Sequence, residues 1–383
     1  MREILRQSNI DLLREINRLK SVVYSASVLP ELVTYQAQIL ITCEMLRRQG
    51  QQNLRDLDLN RDELLPDILS ETQRLASWFR LYNERFAGPI LRSLPSDQLC
   101  LRIIAWLHDH HPETHRVPAA LSDGGFGIWP EPQFPIVYIM PFSRQRGLLY
   151  LPLFFHEFGH LLYVCHEAKM DELVYELQKS IADLLESTPQ QDDLSAQEGA
   201  KRRRAIAVTW YLWTQEIFCD AVGFAIGGPC FAYAFSMYLR TSGRDAFYLP
   251  RSQLEFSHHP VTWLRIHFLA DQVRRAGWPK EAEKLENEWS KIAATMGVTE
   301  EYHGFYEDRF MPLIRKTIDD MLTVASPWQF LDEDVAPSEW DPQSSSPVHL
   351  LNTAWRMYLQ DPASYDSWEE QAISAFLESH RNE

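Results

Sequence analysis

The sequence has few cysteines and no recognisable export signal. Its 383 residues include five cysteines, an odd number, and no two of them form a CxxC pair. Scattered cysteines do not make a disulfide framework, and they favour a reducing compartment. The N-terminal stretch mixes charges into a helical period and has no apolar signal core. We therefore expect the protein to be cytoplasmic.

Basic residues are also in short supply. Lysine and arginine number 37 against 53 aspartates and glutamates, which gives a formal net charge of -16 at pH 7. The sequence shows no basic stripe with interleaved aromatic residues, and the KRRR run at residues 201–204 is typical of a solvated helix start. The composition therefore argues against a nucleic-acid partner.

Long apolar runs are interrupted. Residues 221–239 have no charged side chain, but Gly227, Gly228 and Pro229 divide them at the centre. This pattern favours a buried helix, a break and a second buried helix over a membrane span. Because 45% of the residues are apolar and 12% are aromatic, the chain can form a substantial core, and we expect no membrane partner.

One segment departs from the helical periodicity that dominates the chain. Glycines and prolines become frequent at residues 117–142, where the run IVYIM occupies residues 136–140. Such a run between turn signals predicts a strand, and we expect it to form a hairpin with residues near Ala119. If it is an edge strand, an extended peptide can bind by adding another strand to it.

A cluster of histidines precedes that segment. His108, His110, His111 and His115 lie in eight residues beside Pro112. No partner carboxylate or cysteine has a recognisable metal-ligand spacing, so we interpret the cluster as a solvated loop. Metal binding is the alternative.

The strongest chemical signal is the stretch LLYLPLFFHEFGHLLY at residues 148–163. Its pattern HExxH is formed by His156, Glu157 and His160 in an otherwise apolar predicted helix. Residues four apart lie on one helical face, so both imidazoles can reach one ion. Burying such groups without partners costs about 2 to 7 kcal/mol each. One zinc ion would satisfy them, with Glu157 as general base on a bound water; a core helix with hydrogen-bonded histidines is the alternative.

A catalytic zinc usually has three protein ligands, so a further ligand is needed. The best candidate lies in WTQEIFCDAVGF, where Glu216 and Asp220 stand four apart within a second apolar run. We expect Glu216 to be the third ligand. Asp220 would accept the free N–H of a zinc-bound histidine and fix its orientation. The alternative is a pair of acidic residues on a helix surface.

These motifs resemble those of the gluzincin peptidases, in which HExxH and a downstream ExxxD helix build a zinc site. The later segment SHHPVTWLRI contains His259-Pro260 and Arg265-Ile266. It is similar to the HPxxxxRI element of the family that includes the CAAX prenyl protease and the HtpX-type heat-shock proteases. The resemblance implies that His259 and Arg265 face the active site and help to stabilise the oxyanion. The membrane-spanning helices typical of that family have no counterpart in this sequence.

The helical periodicity of most of the chain predicts a mostly α (α+β) protein, in which a small sheet or hairpin precedes the HExxH helix. The resemblance, which covers about 110 residues, implies a zincin-like core. We expect a helical region at 1–110, the metallopeptidase core at 111–325, and an acidic linker with C-terminal helices at 326–383. The expected activity is zinc-dependent endopeptidase cleavage of a protein or peptide substrate. A non-catalytic zinc-stabilised binding module is one alternative. A latent enzyme that cuts one specific protein after a signal is another.

Overall fold

The chain folds into two compact units. The computed structural model describes residues 1–114, 119–131, 134–144, 146–187, 196–241, 243, 246–255, 257–336 and 340–379. The first unit contains residues Met1–Asp109 and His115–Phe142, and the second contains His110–Thr114 and Ser143–Glu383. These limits differ from the three predicted regions, since the described residues of 119–142 belong to the unit of the N-terminal helices and the C-terminal helices belong to the second unit.

The first unit is mainly helical, as predicted. Its α-helices are α1 (Arg2–Ser25), α2 (Val33–Asp58), α3 (Leu65–Leu81), α4 (Gly88–Leu91) and α5 (Gln98–Asp109), and a π-helical turn occupies Tyr82–Phe86. Apolar residues recur every three or four positions along α1, which buries one face against α2 and α3. Asn9 lies at this contact and joins the three helices, because it donates to Thr72 and accepts from Asn53.

A three-stranded sheet completes the first unit. The strands are β1 (Ala119–Asp123), β2 (Gly127–Trp129) and β3 (Ile136–Met140), in the order β1-β3-β2. The prediction of a strand at 136–140 is confirmed, and it pairs with residues near Ala119 as expected, but the predicted hairpin is wrong. β1 runs parallel to β3, and β2 is its antiparallel partner. Because β3 is central, its backbone groups pair on both sides and cannot accept a peptide strand.

Helices also build the second unit. They are α6 (Leu153–Cys165), α7 (Glu167–Glu186), α8 (Ala196–Gly227), α9 (Pro229–Leu239), α10 (Arg251–Leu254), α11 (Thr262–Arg275), α12 (Pro279–Met296), α13 (Met311–Ala325), α14 (Asp332–Val335), α15 (Pro347–Gln360) and α16 (Tyr365–Ser379). The short central helix α6 packs mainly against α8 and also contacts α7 and α9. The predicted class, mostly helical with a small sheet before the HExxH helix, is confirmed.

The break predicted within residues 221–239 is confirmed. α8 ends at Gly227, Gly228 takes a positive φ of 59°, and α9 begins at Pro229. Asn352 of α15 satisfies the interrupted backbone, because it accepts from the N–H of Cys230 and donates to the carbonyl of Gly227. A different segment, Leu148–Cys165, is long and apolar enough to cross a membrane; 72% of it is buried, and the core helix of a soluble protein passes the same test.

The predicted solvated histidine loop is wrong for two of its members. His108 is buried at the end of α5, and its Nε2 lies 3.0 Å from the hydroxyl of Tyr138. His111 is also buried, and its Nε2 accepts the N–H of Trp328 at 3.0 Å. Tertiary partners distant in sequence therefore satisfy both imidazoles, which a local pattern does not reveal. His115 lies outside the described residues.

The predicted acidic linker contains ordered structure. Within residues 332–347, Asp334 of α14 is buried and accepts the N–H of Leu331 at 2.7 Å. Its carboxylate also accepts from the hydroxyl of Ser346, the residue that caps α15. These contacts join the two helices across the linker. Residues 337–339 lie outside the described residues.

The C-terminal helices support the segment that precedes α6. Glu369 of α16 accepts the backbone N–H of Leu148 at 2.7 Å and the hydroxyl of Tyr365 at 2.6 Å. The indole N–H of Trp355 in α15 donates to the carbonyl of Leu149 at 3.1 Å. Two helices more than 200 residues away in sequence thus fix the turn at Leu148–Tyr150.

Replacing Glu369 with alanine should loosen this turn. The half-buried N–H of Leu148 would lose its acceptor, at a cost of about 1–3 kcal/mol. We expect the amide of Leu148 to exchange its hydrogen roughly tenfold faster or more, as measured by hydrogen exchange and mass spectrometry. Glu369→Gln keeps an acceptor oxygen, so the amide of Leu148 should exchange at a rate between those of the wild type and Glu369→Ala. Glu370→Ala, on the exposed side of α16, should exchange at the wild-type rate. Unchanged exchange in Glu369→Ala would contradict this assignment.

Candidate metal centre

The motif residues HExxH lie on the central helix of the second unit. His156, Glu157 and His160 occupy α6, whose other side chains are almost all apolar and buried. His156 is 8% exposed and Glu157 is 7% exposed, so both polar groups are buried against an apolar lining. Burial at this level requires compensating partners.

A glycine allows α6 and α8 to cross at close range. A Cβ on Gly159 would lie 2.7 Å from the Cα of Cys219 in α8, so no larger residue fits without moving the helices apart. On the same face of α8, Gly223 packs against the ring of Phe231 and Gly227 against the ring of Phe155. Cys219 lies between Glu216 and Asp220, and the crossing therefore brings both carboxylates to the histidines of α6.

Three predicted ligands converge at this crossing. The candidate ligand atoms of His156, His160 and Glu216 all lie within 4.8 Å of one another. Each histidine Nε2 is 3.6 Å from an oxygen of Glu216, which is longer than a good hydrogen bond. Tetrahedral ligands at about 2.0–2.1 Å from zinc are separated by about 3.4 Å. The Oε2 atom of Glu216 is buried without a hydrogen bond, so the three residues fit a metal ion.

Asp220 lies behind the candidate ligands, next to His156. Its Oδ1 is 2.8 Å from Nδ1 of His156, on the opposite side of the ring from the nitrogen that faces Glu216. A carboxylate in this position fixes which nitrogen of the histidine is free to bind a metal. Burial alone would raise the pKa of Asp220, but Arg265 and His156 together outweigh this effect and lower the pKa.

Arg265 lies beneath the ligands on α11 and is buried. Its Nε and Nη2 donate to the two oxygens of Asp220 at 2.8 and 2.7 Å, a bidentate pair. Its Nη2 is also 3.3 Å from Glu216, and its guanidinium lies over the ring of Phe235 at 4.8 Å. Through these contacts Arg265 lies next to the carboxylates of both Glu216 and Asp220.

His259 lies at the open side of the site, before α11 begins. Its Nε2 is 3.4 Å from Oε1 of Glu216, and its side chain is 61% exposed. All seven residues predicted from the three motifs therefore lie in one cluster. The sequence argument missed Gly159 and Phe235; the glycine inside an apolar helix, where glycine is unfavourable, is a signal of close helix packing.

Burial also changes the protonation of the site. It raises the pKa of Glu157 to about 7, partly offset by the neighbouring His156. It lowers the pKa of His160 to about 4, with His156 adding to the shift, so this imidazole is neutral near pH 7. Neutral imidazole is the form that binds metals.

A fourth ligand does not join the set among the described residues. The only group there with three or more convergent candidate ligand atoms is that of His156, His160 and Glu216. His258 is exposed, and His111 bonds to the backbone of Trp328. The arrangement thus offers three protein ligands, the number that catalytic zinc sites use.

Comparisons with known proteins do not identify the chain. No family model, no curated protein and no solved structure matches it. The geometry of the site is therefore the basis for its functional interpretation.

Replacing Glu216 with alanine should remove the metal. Two histidines on one helix would remain as ligands, and we expect the affinity for zinc to fall by about 100-fold or more, because even residues outside the ligand set typically contribute about 10–100-fold. Metal content of the purified protein is the measurement. Glu186→Ala, an exposed position at the end of α7, is the control. A fully metallated Glu216→Ala protein would rule out the ligand assignment.

Gly159→Ala should also lower metal affinity, although it touches no ligand. Helix propensity alone would favour alanine by about 1 kcal/mol, but a Cβ 2.7 Å from the backbone of α8 must separate the helices, at about 1–3 kcal/mol. Glu216 would then move away from both histidines. Gly243→Ala is the control, since no atom lies within 4 Å of the added Cβ. Wild-type zinc affinity in Gly159→Ala would show that the crossing does not set the ligand spacing.

Proposed function

We propose that the protein is a zinc-dependent metallopeptidase that hydrolyses internal peptide bonds of a protein or peptide substrate in the cytoplasm. The observation that carries this proposal is the spacing of the ligand atoms, with each histidine Nε2 3.6 Å from Glu216 in a buried site that also contains Glu157. The likeness of the three motifs to those of the gluzincin peptidases supports the same activity.

Zinc fits the ligands best. Two neutral imidazoles and one carboxylate form a usual catalytic set for this ion. A zinc ion at this position would polarise the peptide carbonyl and lower the pKa of water to about 7. The protein's own residues then provide proton transfer and charge stabilisation.

Glu157 is the proposed general base and acid. It follows His156 directly on α6 and is buried, and burial raises its pKa to about 7. In the proposed reaction its carboxylate takes a proton from the attacking water. It then delivers that proton to the nitrogen of the leaving amine.

His259 is the proposed donor to the carbonyl oxygen as negative charge develops there. It is the most exposed residue of the cluster, yet its Nε2 is only 3.4 Å from Glu216, so a substrate and the ligands can both be within its reach. One such donor is typically worth about 2.7–4 kcal/mol in the transition state. The donor is on a segment outside α6 and α8, so it can be changed without removing a ligand.

Arg265 has a different proposed role. Its Nε and Nη2 both donate to Asp220, and Arg265 is only 7% exposed. This geometry favours a positioning residue that holds Asp220 against His156, in place of the direct contact with the oxyanion that the family resemblance implies. Its contribution to catalysis would then act through the orientation of His156.

The non-catalytic binding module is less well supported. A structural zinc usually has four protein ligands, whereas three converge in the described part of the chain. A buried glutamate next to the ligands is also unnecessary for a purely structural site. The latent enzyme is a variant of the proposed activity and uses the same residues.

Glu157→Gln tests the proposed chemistry. Glutamine keeps the size of the side chain but cannot accept a proton, so we expect turnover to fall by about 10²-fold or more while zinc stays bound. Wild type and variant are each incubated with a cell extract, and the new protein N-termini are identified by mass spectrometry. Cleavages present only with the wild type are expected, and a zinc chelator should abolish them. Equal cleavage patterns with fully metallated variant would refute the peptidase proposal.

A further inference from the structure

A cleft lies in the first unit and is lined only by residues of that unit. Its volume is ≈ 340 Å³, which is within the size range of small-molecule sites. The π-helical turn Tyr82–Phe86, the start of α4, and the end of β1 form its walls. None of the residues predicted from the three motifs lines this cleft.

Two arginines of this cleft have side chains without an acidic partner among the described residues. Arg85 and Arg92 line the cleft and are exposed, and neither side chain makes an ion pair or a hydrogen bond with the described part of the chain. By contrast, Arg2 and Arg47 of the same unit each pair with a carboxylate at 2.6 Å. A planar guanidinium offers two donors to one anion, and phosphate is the anion it matches well.

A glycine turn adds backbone groups to the same cleft. β1 ends at Asp123 beside Met140 of β3, and the chain continues through Gly124 and Gly125. Gly124 closes the turn, because its N–H donates to the carbonyl of Met140 at 3.3 Å. No atom lies within 4 Å of a Cβ built on Gly125, so there is open space on this side of the residue. Glycine turns at the carboxyl ends of parallel strands are frequent binding positions for phosphates.

The other lining residues suit the organic part of a ligand. Trp129 contributes aromatic surface, and the buried Phe86 packs behind it with ring centroids 5.7 Å apart at a near-perpendicular angle. Glu84 and Asp123 contribute carboxylates, which accept hydrogen bonds from hydroxyl groups. The π-helical turn that places Glu84 and Arg85 in the wall is a rare conformation that is frequent at functional sites.

We propose that this cleft binds a small phosphate ester of a hydroxylated molecule, the chemistry shared by sugar phosphates and nucleotides. Arg85, Arg92 and the N–H of Gly125 bind the phosphate. Glu84 and Asp123 accept hydrogen bonds from the hydroxyl groups of the ligand. Their negative charge repels a bare anion, so inorganic phosphate alone binds less well. An aromatic base would find a partner in Trp129.

The test is calorimetric titration of the full-length protein with AMP, ribose 5-phosphate, adenosine, ribose and inorganic phosphate. We expect the two phosphate esters to bind at least tenfold more tightly than ribose, adenosine or inorganic phosphate. Tighter binding of AMP than of ribose 5-phosphate would identify a nucleotide as the ligand, and the reverse order would identify a sugar phosphate. Equal affinity with and without the phosphate group, or no ester binding at millimolar concentration, would overturn the proposal.

Variants locate the binding in this cleft. Arg85→Ala and Arg92→Ala should each weaken ester binding by about tenfold, because each removes a charge-assisted contact. Arg80→Ala is the matched control, as Arg80 is exposed on α3 and outside the cleft. The titration is repeated with Glu216→Ala, in which binding should persist. Loss of binding in that variant, or wild-type affinity in both arginine variants, would place the ester elsewhere and overturn the proposal.

Discussion

The close crossing of α6 and α8 at Gly159 is the constraint on which the candidate metal centre depends. Backbone contact at this point leaves no space for a side chain, so the distance between the two helices is fixed by the glycine. The ligands follow from that distance, because His156 and His160 lie one turn apart on α6 and Glu216 lies about one turn before the contact on α8. The same contact places Asp220 beside His156 at 2.8 Å.

Charge balance gives the cluster a preference for a cation. Glu157, Glu216 and Asp220 are buried carboxylates, and Arg265 is the buried guanidinium that faces them. The bidentate pair with Asp220 offsets one carboxylate, and breaking a buried pair of this kind typically costs about 3–5 kcal/mol. The remaining negative charge is what a divalent ion would neutralise. Burial raises the pKa of Glu157 because it penalises the charged form, and the nearby charge of Glu216 adds to that penalty.

The sequence indicated which residues come together at the candidate site better than it indicated the packing around them. Helical spacing placed His156 and His160 on one face, and the apolar run around Glu216 and Asp220 indicated a buried partner helix; in both cases the information is local. The partner of β3 near Ala119 was predicted, but not that it runs parallel, and β2 was missed because its three residues are too few to show an alternating pattern. The burial of His108 and His111 depends on Tyr138 and Trp328, which are distant in sequence. The pairing of Arg265 with Asp220 likewise joins residues 45 positions apart, so a local pattern does not reveal it.

The break between α8 and α9 also contributes to the electrostatics of the site. The positive φ of Gly228 lets α9 turn back, so that Phe231 packs on Gly223 and Phe235 reaches the metal centre. The ring of Phe235 stacks against His156 and lies beneath the guanidinium of Arg265. An apolar ring in this position keeps water from the Asp220 and Arg265 pair, and charge interactions are stronger where water is excluded. Gly223 and Gly227 of α8 therefore admit the ring of Phe231 from α9 and the ring of Phe155 from α6. This packing holds against α8 both the helix of the candidate ligands and the helix that carries Phe235.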